Sequence, residues 1–181
     1  MNIDNDLRLT GALITLRPVT LADVTSEYVA WLNDPRVNRY METRFHCHER
    51  IDVEAFVKSM REKGNVYFLA IVLNEDNRHV GNIKLVVRPE HSTGEVSLFI
   101  GDKSQWGKGL GAEAIALVRD FGLDELGLAK LTAGCYADNE GSIRAFEKCG
   151  FIREAVLESE YVSGGRRVAG YRFACFRGNG P

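Results

Sequence analysis

Few chain plans accommodate the glycine-rich segment Trp106-Gly107-Lys108-Gly109-Leu110-Gly111-Ala112, which lies between an apolar run and a strongly amphipathic one. Before it, Glu95-Val96-Ser97-Leu98-Phe99-Ile100 alternates polar and apolar and then turns continuously apolar, as a central strand does. After it, Leu110, Ala114, Leu117, Val118 and Phe121 recur at helical spacing, and Gly127 marks the stop. A strand that passes through glycines into a helix gathers unpaired N–H groups and the positive end of a helix dipole at one point. Glycine lets the backbone approach an anion closely there, so the loop is expected to hold a pyrophosphate.

Spacing separates the phosphate-binding classes. The nucleotide P-loop requires Gly-Lys-Ser/Thr, but Lys108 is followed by Gly109, so no hydroxyl is placed for magnesium. The dinucleotide fingerprint requires G-x-G-x-x-G early in a βαβ unit, with an acidic residue about 20 positions on. Gly107-x-Gly109-x-Gly111 is spaced differently and comes late, which leaves dinucleotide binding as the weaker alternative.

The rest of the chain reads as one domain, residues 1–181, with no repeat of 20 to 50 residues and no linker rich in Pro, Ser or Gly. Residues 13–17 form a short strand stopped by Pro18, and Thr20 or Asp23 caps a helix carrying Val24, Tyr28, Trp31 and Leu32. A second helix carries Ile51, Val53, Phe56, Val57 and Met60 and ends near Gly64, across the acceptor side of the fold. Residues 66–73 and 79–87 form a hairpin around Asn74-Glu75-Asp76-Asn77. Strands at 95–100, 130–136, 151–157 and 168–176 and a helix at 139–148 complete a mixed α/β plan of about seven strands, with helices on both faces.

Charge excludes several roles. Lys and Arg total 23 against 25 Asp and Glu, a net charge of −2 that offers no footprint for nucleic acid or an anionic membrane. No apolar run reaches the roughly 18 residues that span a bilayer, and the first ten residues are polar, so a cytoplasmic protein is expected. Cys47, Cys135, Cys149 and Cys175 form no C-x-x-C pair and read as core thiols. His46-Cys47-His48-Glu49 has no second Cys/His pair to close a tetrahedral site, so no metal is expected and the segment is assigned to the edge of a pocket.

Two elements carry a family resemblance. Trp106-x-x-Gly109-x-Gly111 resembles the Gln/Arg-x-x-Gly-x-Gly/Ala fingerprint of the GNAT superfamily of acetyl-CoA-dependent N-acetyltransferases, with tryptophan first as in its RimJ/RimL-like branch. Asn139-Glu140-Gly141-Ser142-Ile143-Arg144-Ala145-Phe146-Glu147-Lys148-Cys149-Gly150-Phe151 resembles the family's N-x-x-S/A-x-x-x-Y/F-E-K-x-G-F block, and Ile14-Thr15-Leu16-Arg17-Pro18 and Trp31-Leu32-Asn33-Asp34-Pro35 extend the likeness. The resemblance implies a sheet whose fourth and fifth strands, 95–100 and 130–136, splay to admit the pantetheine arm of acetyl-CoA. It further implies backbone contacts from Phe99 and Ile100, a pyrophosphate cradle of Gly107, Lys108, Gly109, Leu110, Gly111 and Ala112, and a contact from Asn139.

Acetyl transfer to an amine needs a neutral nucleophile, a polarised thioester carbonyl and a proton for the leaving thiolate. Many relatives supply that proton from a tyrosine at the position that Phe146 occupies here. Ser142, one helical turn from both Asn139 and Phe146, is the substitute donor, with Tyr136 and Tyr161 as further donors that also suit packing. Glu95 is the candidate base, acting through water, since Gly134 stands where some relatives carry a glutamate. The expected activity is direct transfer to a primary amine, either a protein N-terminal α-amine or a small amine such as an amino sugar, at a site built from residues 33–48 and 161–167. A non-catalytic acyl-CoA sensor is the alternative, and a homodimer remains open.

Overall fold

All eight residues of Val66–Leu73 are buried, which a strand achieves only between two layers. Its alternation supplies both: Tyr67, Leu69, Ile71 and Leu73 enter one hydrophobic core, and Val66, Phe68, Ala70 and Val72 the other. The computed structural model describes residues 6–178. Its single sheet contains β1 (Leu9–Thr10), β2 (Ile14–Pro18), β3 (Val66–Leu73), β4 (His79–Arg88), β5 (Thr93–Ile100), β6 (Lys130–Tyr136), β7 (Ile152–Ser163) and β8 (Arg166–Phe176). They lie in the order β1-β2-β3-β4-β5-β6-β8-β7, antiparallel throughout except where β5 meets β6.

Helices cover both faces. α1 (Ser26–Asn33) and α2 (Arg50–Glu62) bury Tyr28, Trp31, Val53 and Val57 against one face, while α3 (Leu110–Asp120) and α4 (Glu140–Lys148) bury Ala114, Ile115, Val118 and Phe146 against the other. The α-helical part of α3 continues as one π turn, Phe121–Glu125, before Gly127 ends the segment with φ 69°.

The strand count rises to eight because Leu9 and Thr10 pair with Leu16 and Thr15 ahead of the first expected strand. The splay therefore falls between the fifth and sixth strands in chain order. The last hairpin is also longer than its hydrophobic pattern indicates: β7 runs on to Ser163 and turns through Gly164 and Gly165, both at positive φ. A bulge between Leu157 and Tyr161, with Ser159 at φ 56°, breaks the alternation by which a strand is recognised. β7 is moreover a sheet edge with mostly exposed side chains, so polar residues are tolerated along it.

A second correction concerns α1. Neither Thr20 nor Asp23 caps it; Thr25 does, accepting from the Tyr28 amide at 3.2 Å. Thr20 and Asp23 instead close a separate 3₁₀ turn, Leu21–Asp23, where Asp23 accepts from the Thr20 amide at 2.7 Å. Asp23 also receives both ends of the Arg17 guanidinium, at 2.8 and 2.6 Å, which fastens this turn to β2.

Burial pushes the Asp23 carboxyl up, but the Arg17 fork and the Thr20 amide more than offset it and hold it at about 2. A carboxyl depressed in the folded state contributes stability that is present above its unfolded value near 3.8 and lost as pH falls towards 2. Asp23→Asn is expected to cost about 2 to 3 kcal/mol at pH 7, by urea unfolding, and the gap to the unsubstituted protein should close progressively between about pH 4 and pH 2.

Candidate active site

The parallel pair defines the site. β5 and β6 are in register from Thr93↔Lys130 to Val96↔Ala133, and there the pairing ends. Beyond that point β5 remains joined to β4 through Ile100, and β6 to β8 through Tyr136, so the two halves of the sheet diverge. The backbone of Ser97 to Ile100 is left without a strand partner on its β6 side, an edge that an extended, amide-bearing ligand fits.

The glycine loop closes one end of this slot. Gly107 and Gly109 take φ 77° and 88°, and Gly109 is the N-cap of α3. A Cβ at either position would meet no heavy atom within 4 Å, so these glycines serve backbone conformation and leave open space before the first-turn amides of Leu110, Gly111 and Ala112. Gly111 is different: its hypothetical Cβ lies in ordinary contact with Leu98. Trp106 donates from Nε1 to the Ile100 carbonyl at 2.9 Å, which ties the loop to the end of β5 and occupies that carbonyl. Ile100 has its carbonyl turned to the loop, while the Phe99 carbonyl faces Gly81 of β4 and not the slot, so Phe99 is not placed as the backbone contact expected from the sequence. Lys108 bonds through Nζ to Gln105 at 3.1 Å, beside the cradle. This open, donor-rich cradle and the unpartnered strand edge suit a pyrophosphate joined to an amide-bearing arm.

A cavity of about 490 Å³ continues from the slot across the sheet towards α1 and α2. Asn139 and Ser142 meet it from the start of α4. Asn139 caps that helix, its Oδ1 accepting the Ser142 amide at 3.2 Å, while Ser142 Oγ has no hydrogen-bond partner among the described residues. Phe146, one turn further, is buried against Phe151 and Phe173 and forms part of the cavity floor. Cys135 also borders the cavity, but burial pushes its thiol up to about 11, which leaves little thiolate for covalent chemistry.

Glu95 reaches the same cavity beside two guanidinium groups, Arg88 at 3.8 Å and Arg172 at 3.5 Å. It lies within the paired part of β5, opposite Thr132, and is therefore separated along the strand from Phe99 at the slot. That distance calls for water between Glu95 and any reacting amine.

The segment 41–48 forms the far wall. Tyr136 donates to Glu42 and accepts from Arg44 at 2.6 Å, Arg44 donates to the Val162 carbonyl at 2.8 Å, and Tyr161 stacks on Tyr136 with ring centres 4.1 Å apart. Burial first, and then the bond to Glu42, push the Tyr136 phenol up to about 12. His48 lines the cavity with its backbone held by Asn33, whose Oδ1 accepts the His48 amide at 2.9 Å. Of the expected acceptor residues, Tyr40, Met41, Glu42, Thr43, His48 and Tyr161 line the cavity, and the turn beyond Tyr161 does not. Asn82 and Lys84 of β4 and Asp52 of α2 also line it and were not expected from the sequence. The polar–apolar alternation Asn82-Ile83-Lys84-Leu85 in an interior strand is the signal that marks the first two.

This geometry agrees with comparisons to known proteins. Residues 14–152 match the Acetyltransferase (GNAT) domain, and the chain belongs to that family of acyltransferase enzymes. An uncharacterized N-acetyltransferase of Bacillus licheniformis, p20, is 27% identical over 169 residues, covering 91% of this chain and 93% of its own. A GNAT-family acetyltransferase from Bacillus anthracis superposes with TM-score 0.82 at 20% identity over 94% of this chain and 99% of its own. Spermidine N-acetyltransferase from Vibrio cholerae, solved with CoA and spermine, superposes with TM-score 0.81 at 19% identity over 91% of this chain and 95% of its own.

The loop analysis yields a test. Gly109→Ala introduces only the cost of positive φ, about 1 to 2 kcal/mol of local strain, while Gly109→Glu adds a carboxylate at the cradle. In calorimetric titration with acetyl-CoA, Gly109→Ala is expected to weaken binding by about tenfold or less, and Gly109→Glu by a hundredfold or more.

Proposed function

We propose that this GNAT enzyme uses acetyl-CoA to acetylate a primary amine by direct attack within a ternary complex, in the manner of the RimJ/RimL-like branch that Trp106 and the N-terminal motifs resemble. The observation that carries the reading is one continuous space. It joins the unpartnered edge of β5, the start of α4 and the pocket walled by segment 41–48. In this reading the cradle from Gly107 to Ala112, the β5 edge beyond Val96 and Asn139 hold the cofactor, whose thioester supplies an activated acetyl group. The amine nitrogen forms the new bond to the carbonyl carbon as the carbon–sulfur bond breaks.

Two proton movements complete the balance. Ser142 Oγ, without a partner among the described residues, donates a hydrogen bond to the departing sulfur and relays to it the proton that the attacking nitrogen loses as the amide forms. Tyr136 is less suited, since its phenol is committed to Glu42 and Arg44. Glu95 accepts the ammonium proton through water, with Arg88 and Arg172 orienting its oxygens. The high position of the Cys135 thiol supports direct attack over an acetyl-cysteine route.

Ser142→Ala is expected to lower kcat at least tenfold, about 1.4 kcal/mol of barrier, with the dissociation constant of acetyl-CoA unchanged. Glu95→Gln should shift the rising limb of the kcat/KM profile towards higher pH, as the unassisted amine must lose its own proton. Unchanged kcat in Ser142→Ala and an unchanged profile in Glu95→Gln would remove both assignments. Binding of acetyl-CoA with no CoA release across a broad amine panel would overturn the transferase reading itself.

A further inference from the structure

The charged groups that border the acceptor half of the cavity are engaged within the protein. Glu42 takes the Tyr136 hydroxyl and lies 3.6 Å from Arg44, and Glu95 stands beside Arg88 and Arg172 with Lys84 as a further near cation. Asp52 accepts the Glu49 amide at 3.0 Å in the first turn of α2, where the helix dipole offsets its charge. His48 donates from Nε2 to the Thr43 carbonyl at 2.9 Å, and Asn82 is held between His79 and Tyr28. A second charged group carried in by a ligand would give up its water and meet partners already committed, so its desolvation would not be offset.

What the same space leaves uncovered is apolar. Leu32 of α1, Met41 of the wall segment, Val53 and Phe56 of α2, Phe68 of β3 and Phe99 of β5 border it from one face of the sheet. Phe56 is the informative member. Val53, Val57 and Met60 recur at i, i+4 and i+7 and are buried, which suffices to anchor α2 on the sheet. Phe56 lies beside that stripe, set edge to face on Phe68 with ring centres 5.5 Å apart, yet it is 42% exposed. An isolated apolar side chain on a surface needs no explanation, but this ring borders a cavity and continues inward through Phe68 and Phe99. Such a surface is what an apolar ligand covers.

Size and connectivity favour a small molecule. A cavity of about 490 Å³ belongs with small-molecule sites, which run from roughly 300 to 1,000 Å³. The strand edge that opens on it, β5 beyond Val96, is taken by the cofactor arm in the reading above and offers no backbone ladder to a polypeptide.

We propose that the acceptor is a small primary amine on an uncharged, apolar body, an arylalkylamine or alkylamine whose ring or chain packs against Phe56, Phe68 and Phe99. This rests on the transferase reading above and narrows its acceptor. The reacting nitrogen brings the single charge, and Glu95 takes its proton through water. The further cations of a polyamine, a carboxylate, or the hydroxyls of a sugar ring add groups that the wall does not match.

Two acceptor sets test this. Across n-alkylamines from propylamine to hexylamine, kcat/KM is expected to rise by roughly two- to fourfold per added methylene, the step that burying one methylene gives. In the second set, 2-phenylethylamine should exceed phenylalanine, glucosamine, spermidine and a peptide with a free N-terminus by about tenfold or more in kcat/KM. Phe56→Ser should flatten the alkylamine series and raise KM for 2-phenylethylamine by about fivefold or more, with KM for propylamine and the acetyl-CoA dissociation constant unchanged, while Phe56→Leu keeps most of the preference. A flat series in the unsubstituted protein, preference for any of the charged, sugar or peptide acceptors, an unaltered slope in Phe56→Ser, or a loss there that falls on acetyl-CoA affinity would each overturn the proposal. Calorimetric titration of 2-phenylethylamine into the complex with CoA separates the two readings. Binding with a negative heat-capacity change that Phe56→Ser weakens sustains the apolar pocket even where no amine is turned over, and absence of binding rejects it.

Discussion

The parallel contact between β5 and β6 governs everything else in this molecule. It is four residue pairs long, from Thr93↔Lys130 to Val96↔Ala133, and it is the single parallel junction in a sheet otherwise built from antiparallel neighbours. Parallel strands cannot be joined by a tight turn, so the chain must cross over through α3 between them. That crossover places the N-terminus of a helix at the open end of β5, next to the point where the pairing fails. An unpaired strand edge and a dipole-bearing helix start are thus brought together by connectivity alone, and the glycines at 107 and 109 let the backbone turn without filling the space between them.

Elsewhere the sheet resists such opening. β3 is buried on both faces, β4 is paired along most of its length to β3 and β5, and β6 is held by β8 up to Tyr136. The divergence after Val96 is therefore confined to one seam. Trp106 acts on that seam directly, since its bond to the Ile100 carbonyl fixes the end of β5 to the loop that follows. A residue recognised from sequence as part of a phosphate-binding fingerprint works in the structure as a tie between strand and loop.

What was legible in the sequence follows the same physics. The glycine loop, α3 and α4 could be placed because capping residues, glycines and helical periodicity are local signals, and Asn139 caps α4 as its residue type predicts. The β7 bulge at Ser159 and the true start of α1 were obscured by local chemistry that competes with periodicity, a left-handed residue in one case and the Thr20–Asp23 turn in the other. The acceptor wall was the least legible part. Tyr136 finds Glu42 and Arg44 across more than ninety positions of sequence, and Arg44 finds Val162 across more than a hundred. No spacing rule links residues so far apart; only the closed sheet does.

Those distant bonds also explain why the wall can be charged without being sticky. Arg44 and Glu42 are neutralised against each other and against Tyr136, so segment 41–48 is pinned to β6 and β7 with its charges satisfied in place. Stacking of Tyr136 on Tyr161 adds an apolar contact to the same junction. On the opposite side of the cavity β4 presents Asn82, held beside His79 and Tyr28, and Lys84, with Glu95 as its near counter-charge. Polar groups on both walls are thus oriented by partners that the protein itself supplies, which fixes the shape and polarity of the cavity before any ligand enters it.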